Sequence, residues 1–335
     1  MTLLFDKGQS IASPALAPAQ DASKHAGKSE LTIALVNNMP DSALKATERQ
    51  FMRLLEVAAG KRRVQFHCFS LPSVARSQAT RSQIDREYSD IADLGGMRID
   101  GLIVTGAEPI EKDLPEERYW HELTEIVDWA KTNTRSTIWS CLAAHAAVLE
   151  LDGIERRRLE RKCSGVYDCA KVTDDWLTKG LPASLKVSHS RHNEIREKDL
   201  VAHGYQILTR SNIAGVDIFA RQFQSRFIFF QGHPEYDASS LQREYMRDLA
   251  RFLAGQREDY PEIPAGYFDA ATIEQLKNFE SHARTLRDPL LAAELPGLTL
   301  RHDIAAGAAA KAIFANWLAF LGEDARAKQH ATSRR

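Results

Sequence analysis

The sequence has almost no net charge: over 335 residues, 44 Lys+Arg face 45 Asp+Glu, a formal −1 at pH 7. Without a charge excess there is no long-range attraction toward phosphate backbones or acidic membranes, so neither nucleic acid nor a membrane surface is an expected partner. Long apolar runs are lacking too, and none reaches the roughly 18 residues that a membrane-spanning helix needs. The patch Leu3–Phe5 is too short for the core of a signal peptide, and no basic segment precedes it. Cysteine is scarce. The four thiols, Cys68, Cys141, Cys163 and Cys169, show no CxxC spacing, which argues against a disulfide framework or a structural zinc and for a reducing cytoplasm. Apolar residues, by contrast, make up 44% of the chain, enough for a sizeable core. The expectation is a soluble cytoplasmic protein of one large domain or two small ones.

Residues 1–29 are rich in Ala, Ser, Pro, Gln and Lys with no apolar period, and read as a flexible N-terminal extension. At Leu31 the texture changes to a continuous apolar run ending at Val36, the mark of a strand buried on both faces. A helical pattern follows Asn37-Asn38-Met39-Pro40, with Leu44, Phe51, Leu54 and Leu55 on one side. Further strands are expected at Val64–Phe69, Ile99–Val104 and Ser136–Ser140, with a helix over Pro115–Lys131. Later strands fall at Tyr205–Thr209, Val216–Ala220 and Arg226–Phe230, the last two close enough for a hairpin. A helix over Ala238–Leu253 has Asp237 as its N-cap candidate, and an apolar helix carrying Ile313, Phe314, Trp317, Leu318 and Leu321 ends a loop-rich tail. Strands alternating with helices predict an α/β domain around a mostly parallel sheet, spanning 30–325, with 326–335 as a flexible C-terminal tail.

Two constellations carry chemistry. Cys141 ends the strand Thr137-Ile138-Trp139-Ser140 and precedes the helical Leu142-Ala143-Ala144-His145. A nucleophile at such a turn is exposed at the carboxyl edge of the sheet, where the first helical N–H groups favour a thiolate and can later hold an oxyanion. The competing reading is a buried core cysteine, and position alone leaves the two about even. The second constellation is Gln231-Gly232-His233-Pro234-Glu235-Tyr236, directly after a strand. Pro234 forces His233 into an extended conformation, and residues two apart in an extended segment point the same way. Glu235 can then orient the imidazole while His233 takes a proton from a thiol or hydroxyl. A solvated polar turn is the alternative.

The order Cys141…His233-x-Glu235 resembles the class I glutamine amidotransferase-like fold, and the finer resemblance is to the homoserine O-acyltransferase family. It runs from Leu31 to about Phe320. It is carried by Asn38-Met39-Pro40, Gln50-Phe51-x-Arg53-Leu54-Leu55, Asp100-Gly101-Leu102-Ile103-Val104-Thr105-Gly106-Ala107, Tyr119-Trp120, Lys162-x-Ser164-Gly165-Val166-Tyr167, His189-Ser190-Arg191, Gly232-His233-Pro234-Glu235-Tyr236-Asp237 and Asn316-Trp317-Leu318. The resemblance implies a flavodoxin-like three-layer sandwich and an enzyme of methionine biosynthesis. In such an enzyme Cys141 takes an acyl group from acyl-CoA as a thioester, His233 activates the homoserine hydroxyl and Glu235 orients His233. It also implies an amino-acid pocket at Lys162, Ser190 and Arg247, a homodimer, and no bound cofactor or metal, with acyl-CoA as substrate. Periodicity alone would leave Lys162 on a solvated basic run with Arg156–Arg158 and Arg161, Ser190 as a loop polar residue, and Arg247 opposite the apolar stripe Leu241, Tyr245, Leu249, Phe252.

The match departs in places. Lysines that often follow the family's Met-Pro pair are replaced by Asp41-Ser42, with Lys45 as the available substitute, and Leu142 stands where a bulky aromatic is common. In the family, a position just past the Pro of Thr105-Gly106-Ala107-Glu108-Pro109-Ile110-Glu111 is associated with donor choice, a small residue going with succinyl and Glu with acetyl. A carboxylate there would repel succinate's own. Ungapped counting places Ile110 at that position and aligning the prolines places Glu111, so the donor, succinyl-CoA or acetyl-CoA, stays open, as does L-homoserine against serine. Cys163 and Cys169, flanking Ser164–Asp168, lack neighbours for a closed zinc site. The rival functions are a serine acyltransferase or a glutamine amidotransferase-like hydrolase and, outside catalysis, a sheet-edge binding module.

Overall fold

Alternate residues of a strand face opposite sides, and the apolar run at 31–36 uses this to serve two cores at once. Leu31, Ile33 and Leu35 join one hydrophobic cluster, while Ala34 and Val36 join another across the sheet. The computed structural model describes residues 3–5, 30–301 and 306–332. Its elements are β1 (Leu3–Phe5), β2 (Glu30–Val36), α1 (Asp41–Ala59), β3 (Arg63–Phe69), α2 (Gln78–Glu87), β4 (Gly101–Thr105), α3 (Trp120–Asn133), β5 (Ser136–Ser140), α4 (Leu142–Asp152) and β6 (Arg157–Lys171), followed by β7 (Ser184–Glu194), α5 (Glu197–Ala202), β8 (Gln206–Ser211), β9 (Gly215–Gln222), β10 (Arg226–Phe230), α6 (Ser240–Leu253), α7 (Ala270–Leu286) and α8 (Ala306–Thr332).

The strands form one ten-stranded sheet in the order β1-β3-β2-β4-β5-β10-β9-β8-β6-β7. From β1 to β10 every pairing is parallel; from β10 to β7 every pairing is antiparallel. On one face α3 and α4 cover the sheet with Leu123, Val127, Ala143 and Ala147. On the other, α1 and α8 do so with Phe51, Leu55, Phe314 and Trp317. The expected three-layer α/β architecture is therefore present, with a longer antiparallel extension than the sequence suggested. Gly101 lets α8 settle onto β4: a Cβ there would stand 2.6 Å from Leu321 and 2.7 Å from Trp317. A third cluster joins α6 to α7 through Leu241, Tyr245, Phe252, Leu276 and Phe279.

β5 and β10 have the bounds expected for them, and the β9–β10 hairpin forms as expected. The helix expected from Pro115 begins only at Trp120, after a short 3-10 turn at Leu114–Glu116. The N-cap of α6 is Ser239, not Asp237; Asp237 Oδ1 instead accepts from Ser239 N at 3.0 Å and from Ser240 Oγ at 2.9 Å. β6, β7 and α7 were not anticipated. β6 carries exposed charged residues and breaks register with β7 between Arg158 and Cys163, which hides the alternation of a strand. In the segment read as loop, α7 buries only the stripe Thr272, Leu276, Phe279 and Ala283.

Leu3–Phe5, within the expected extension, pairs in parallel with β3, while 6–29 lie outside the described residues. α8 continues to Thr332, past the expected domain end at 325; 333–335 lie outside the described residues. No helix among the described residues is long and apolar enough to cross a membrane.

Candidate active site

β5 and β10 are neighbours in parallel register, with Ser140 opposite Phe230, so they finish level and deliver Cys141 and the 231–235 turn to the same edge. Cys141 N–H donates to Phe230 O at 2.8 Å, tying the two turns together. Cys141 occupies the N-cap position of α4 with φ 53° and ψ −112°. A side chain held in that region costs about 1–3 kcal/mol, a strain typical of a nucleophile on a strand-to-helix turn. The glycine that relieves the crowding lies in the loop after another strand. A Cβ on Gly106, just past β4, would come within 2.5 Å of Leu142 Cβ, so only glycine lets that loop pass so close to the Cys141 turn.

His233 is buried, and its Nδ1 lies 2.8 Å from Glu235 Oε1, the pairing that the Gly-His-Pro-Glu order predicts. His233 N–H donates to Ser188 O at 2.7 Å, and the ring stacks on Tyr236 at 4.2 Å between centroids. Burial pushes the imidazole toward neutrality, but the Glu235 carboxylate and the Cys141 sulfur together outweigh it and hold His233 well above its ordinary pKa. With Nδ1 committed to Glu235, the interaction with Cys141 falls to Nε2, the ring nitrogen left for proton transfer.

Cys141, His233 and Glu235 open onto a cavity of about 890 Å³, whose wall also contains Lys162, Ser190 and Arg247. All six residues expected in the catalytic and amino-acid sites are thus brought together. Lys162 leaves its supposed solvated run: its Nζ lies 3.1 Å from Asp248 Oδ2 and 3.4 Å from Glu244 Oε2. Arg247 grips Asp248 Oδ1 with both Nε and Nη2, at 2.9 and 2.8 Å. Ser190 Oγ donates to Glu244 Oε2, and Tyr236 OH donates to Glu244 Oε1. Burial raises the Glu244 pKa, but Lys162, Ser190 and Tyr236 more than offset this and keep it below the ordinary value, an anion in the cavity wall.

Glu244 is the functional candidate that sequence reasoning missed. Its signal was present: Ser240, Glu244, Arg247 and Arg251 recur at helical spacing opposite the apolar stripe of α6, and all four line the cavity. The two donor-position candidates lie elsewhere. Ile110 and Glu111 border a neighbouring cavity of about 570 Å³ that shares Pro40, Ala107 and Glu108 with the larger one. Both donate their backbone N–H to Glu117 Oε1, at 2.7 and 2.8 Å, and the Ile110 side chain is exposed. Lys45, the available substitute for the family's lysine, points away from this cavity. It is ion-paired with Glu48 and Glu87 on the flank of α1, outside the cavity wall.

A family model described as homoserine O-succinyltransferase matches residues 11–327. Among curated proteins, a homoserine O-succinyltransferase from Bradyrhizobium japonicum is 63% identical over 324 residues, covering 96% of this chain and 100% of that protein. One from Rhodopseudomonas palustris is 57% identical over 332 residues, covering 97% and 100%. Among solved structures, a glutamine amidotransferase from Methylobacillus flagellatus superposes with a TM-score of 0.48 at 14% identity, covering 88% of this chain and 96% of that one.

Proposed function

The chain belongs to the homoserine O-succinyltransferase family, and from that premise we propose that it moves a succinyl group from succinyl-CoA to the hydroxyl of L-homoserine through a thioester on Cys141. The Cys141 thiolate attacks the thioester carbonyl, and the backbone N–H of Leu142 at the start of α4 receives the oxyanion, a donor worth roughly 3 kcal/mol, while the Cys141 N–H stays with Phe230 O. Collapse expels the CoA thiolate, which takes the proton of the His233 imidazolium. The neutral imidazole then accepts the homoserine hydroxyl proton as that oxygen attacks the acyl-enzyme. The second collapse releases O-succinylhomoserine and restores the thiolate beside imidazolium.

The balance of influences on His233 suits this sequence. One of the two groups that keep it protonated is the Cys141 sulfur. Acylation removes that negative charge, so the imidazole gives up its proton more readily at the stage where it must act as base. The amino acid is bound by opposite charges: Arg247, with its planar fork, takes the carboxylate, and Glu244 takes the ammonium. Lys162 and Ser190 hold Glu244 in place. The chemistry asks for no metal and no resident cofactor, since nucleophile, acid, base and oxyanion donors are all protein groups. The names of the relatives favour the succinyl donor, and so does the position of Glu111, a residue that borders the neighbouring cavity rather than the one containing Cys141.

The observation that carries this reading is a single cavity holding both the Cys141–His233–Glu235 set and the Arg247–Glu244 pair of charges. Intact mass spectrometry tests it, after incubation with succinyl-CoA and acetyl-CoA separately. A succinyl adduct should form, be discharged by homoserine rather than serine, and be absent in Cys141→Ala, whose turnover should fall by more than about 10⁴-fold with the fold retained. Near-normal turnover in that variant sinks the proposal, and ammonia release from glutamine without CoA turnover favours an amidotransferase.

A further inference from the structure

Close to the turn that carries His233, three side chains from distant parts of the chain meet in a closed space. Cys169 comes from β6, His189 from β7 and Asp217 from β9, and all three are fully buried. His189 Nε2 lies 3.8 Å from Cys169 Sγ and 3.6 Å from Asp217 Oδ1, and the three atoms all fall within 4.8 Å of one another. A nitrogen and an oxygen 3.6 Å apart are too far for a hydrogen bond. They are spaced like neighbouring ligands of one ion: donors about 2.0–2.3 Å from a tetrahedral centre stand roughly 3.3–3.8 Å from each other.

The bonding of the rest of the cluster agrees. Asp217 Oδ2 accepts from Thr209 Oγ1 at 2.8 Å and the Gly232 backbone N–H also donates to the carboxylate, which together fix it with Oδ1 turned toward His189. The backbone closes over the cluster at Gly232, where a Cβ would stand 2.5 Å from Asp217 Oδ1 and 3.1 Å from His189 Cε1. None of the three side chains is used by the acyl transfer.

We propose that Cys169, His189 and Asp217 form a binding site for a divalent transition-metal ion, with Zn²⁺ the best match to one sulfur, one nitrogen and one oxygen ligand. A thiolate and a carboxylate neutralise a 2+ ion while the imidazole stays neutral, so the loaded site carries no net charge into the interior. The thiol proton, and any proton on the carboxyl, leave to solvent on binding. The ion ties β6, β7 and β9 together beside Gly232 and steadies the turn from which His233 projects, without touching the acyl group. This inference does not depend on the catalytic reading.

The test uses the full-length protein with Cys141 first alkylated by iodoacetamide, so that the active-site thiol cannot bind metal. Elemental analysis should find one zinc per chain after incubation with Zn²⁺ and gel filtration. Chelation should lower Tm by several degrees and added Zn²⁺ restore it. Co²⁺ should give a thiolate-to-cobalt charge-transfer band in the near ultraviolet. Cys169→Ala and Asp217→Asn should lose both the zinc and the zinc-dependence of Tm while keeping their circular dichroism. Wild-type protein that retains no zinc and shows no Tm response overturns the proposal, leaving the cluster a metal-free polar network. So does zinc that persists undiminished in Cys169→Ala. If neither variant folds, absence of the cobalt band in the wild-type protein overturns it.

Discussion

In the parallel half of the sheet the chain reaches Cys141 and the His233 turn from two strands that finish level, whereas in the antiparallel half Lys162 and Ser190 sit within the long strands β6 and β7. The first arrangement places reactive groups on turns at the sheet's carboxyl edge, strained at Cys141, where the backbone N–H groups of a helix start are at hand. The second places one charged and one hydroxyl side chain on a wall of long strands, where α6 completes them with Glu244, Arg247 and Asp248. On the proposed mechanism, bond making belongs to the parallel half and recognition to the antiparallel half with α6. The two meet at Tyr236, whose ring stacks on His233 and whose hydroxyl donates to Glu244.

That division predicts different kinetic signatures on its two sides. Glu235→Gln removes the charge that does most to hold His233 above its ordinary pKa. Its kcat should fall by about 10²–10⁴-fold, with little change in KM for homoserine. Loss of a nearby anion lowers the imidazole pKa, so the rising limb of the kcat–pH profile should move toward acid. A limb that stays in place would falsify the electrostatic role assigned to Glu235. Glu244→Gln should act the other way round, raising KM for homoserine and lowering kcat/KM by about 10–100-fold, the worth of one charged hydrogen bond. KM for succinyl-CoA should hardly move. If kcat collapses instead while KM is unchanged, recognition and chemistry are not separated as the two halves of the sheet suggest.

The same division governs what could be read from the sequence. The candidate catalytic residues were legible because each lies in a local pattern: a buried strand running into Cys141, and an extended His-Pro-Glu in which alternate residues share a face. Parallel strands buried on both sides also announce themselves as apolar runs, which is why β5 and β10 have the expected bounds. β6 is half exposed, bulged and charged, so Lys162 was identified through family resemblance rather than through its strand. Ser190 and Arg247 came the same way. The pairing of Ile110 and Glu111 with Glu117 depends on a loop folding back, for which no periodic signal exists. The Cys169, His189 and Asp217 cluster is drawn from three strands, and nothing in local spacing could assemble it.

The parallel half also carries an acid-sensitive element that separates its stability from its chemistry. His145, on α4 just after Cys141, is buried, and its Nε2 lies 3.1 Å from Gln231 Oε1. Gln231 in turn receives Ile195 N–H at 2.9 Å and directly precedes the Gly232-His233 turn. Burial, helped by the Arg191 charge and only partly opposed by Gln231, pushes the His145 pKa down to about 3 from 6.5. The folded state therefore holds this ring neutral while the unfolded chain protonates it below 6.5. Its contribution to stability is complete above that value and is withdrawn as pH falls toward 3. By pH 5 the loss reaches about 2 kcal/mol. His145→Gln keeps a donor for Gln231 and removes the titration, so its unfolding free energy, measured by chemical denaturation, should fall less between pH 7 and 5 than that of the wild-type protein. Equal losses in the two proteins would show that the acid sensitivity of this half arises elsewhere.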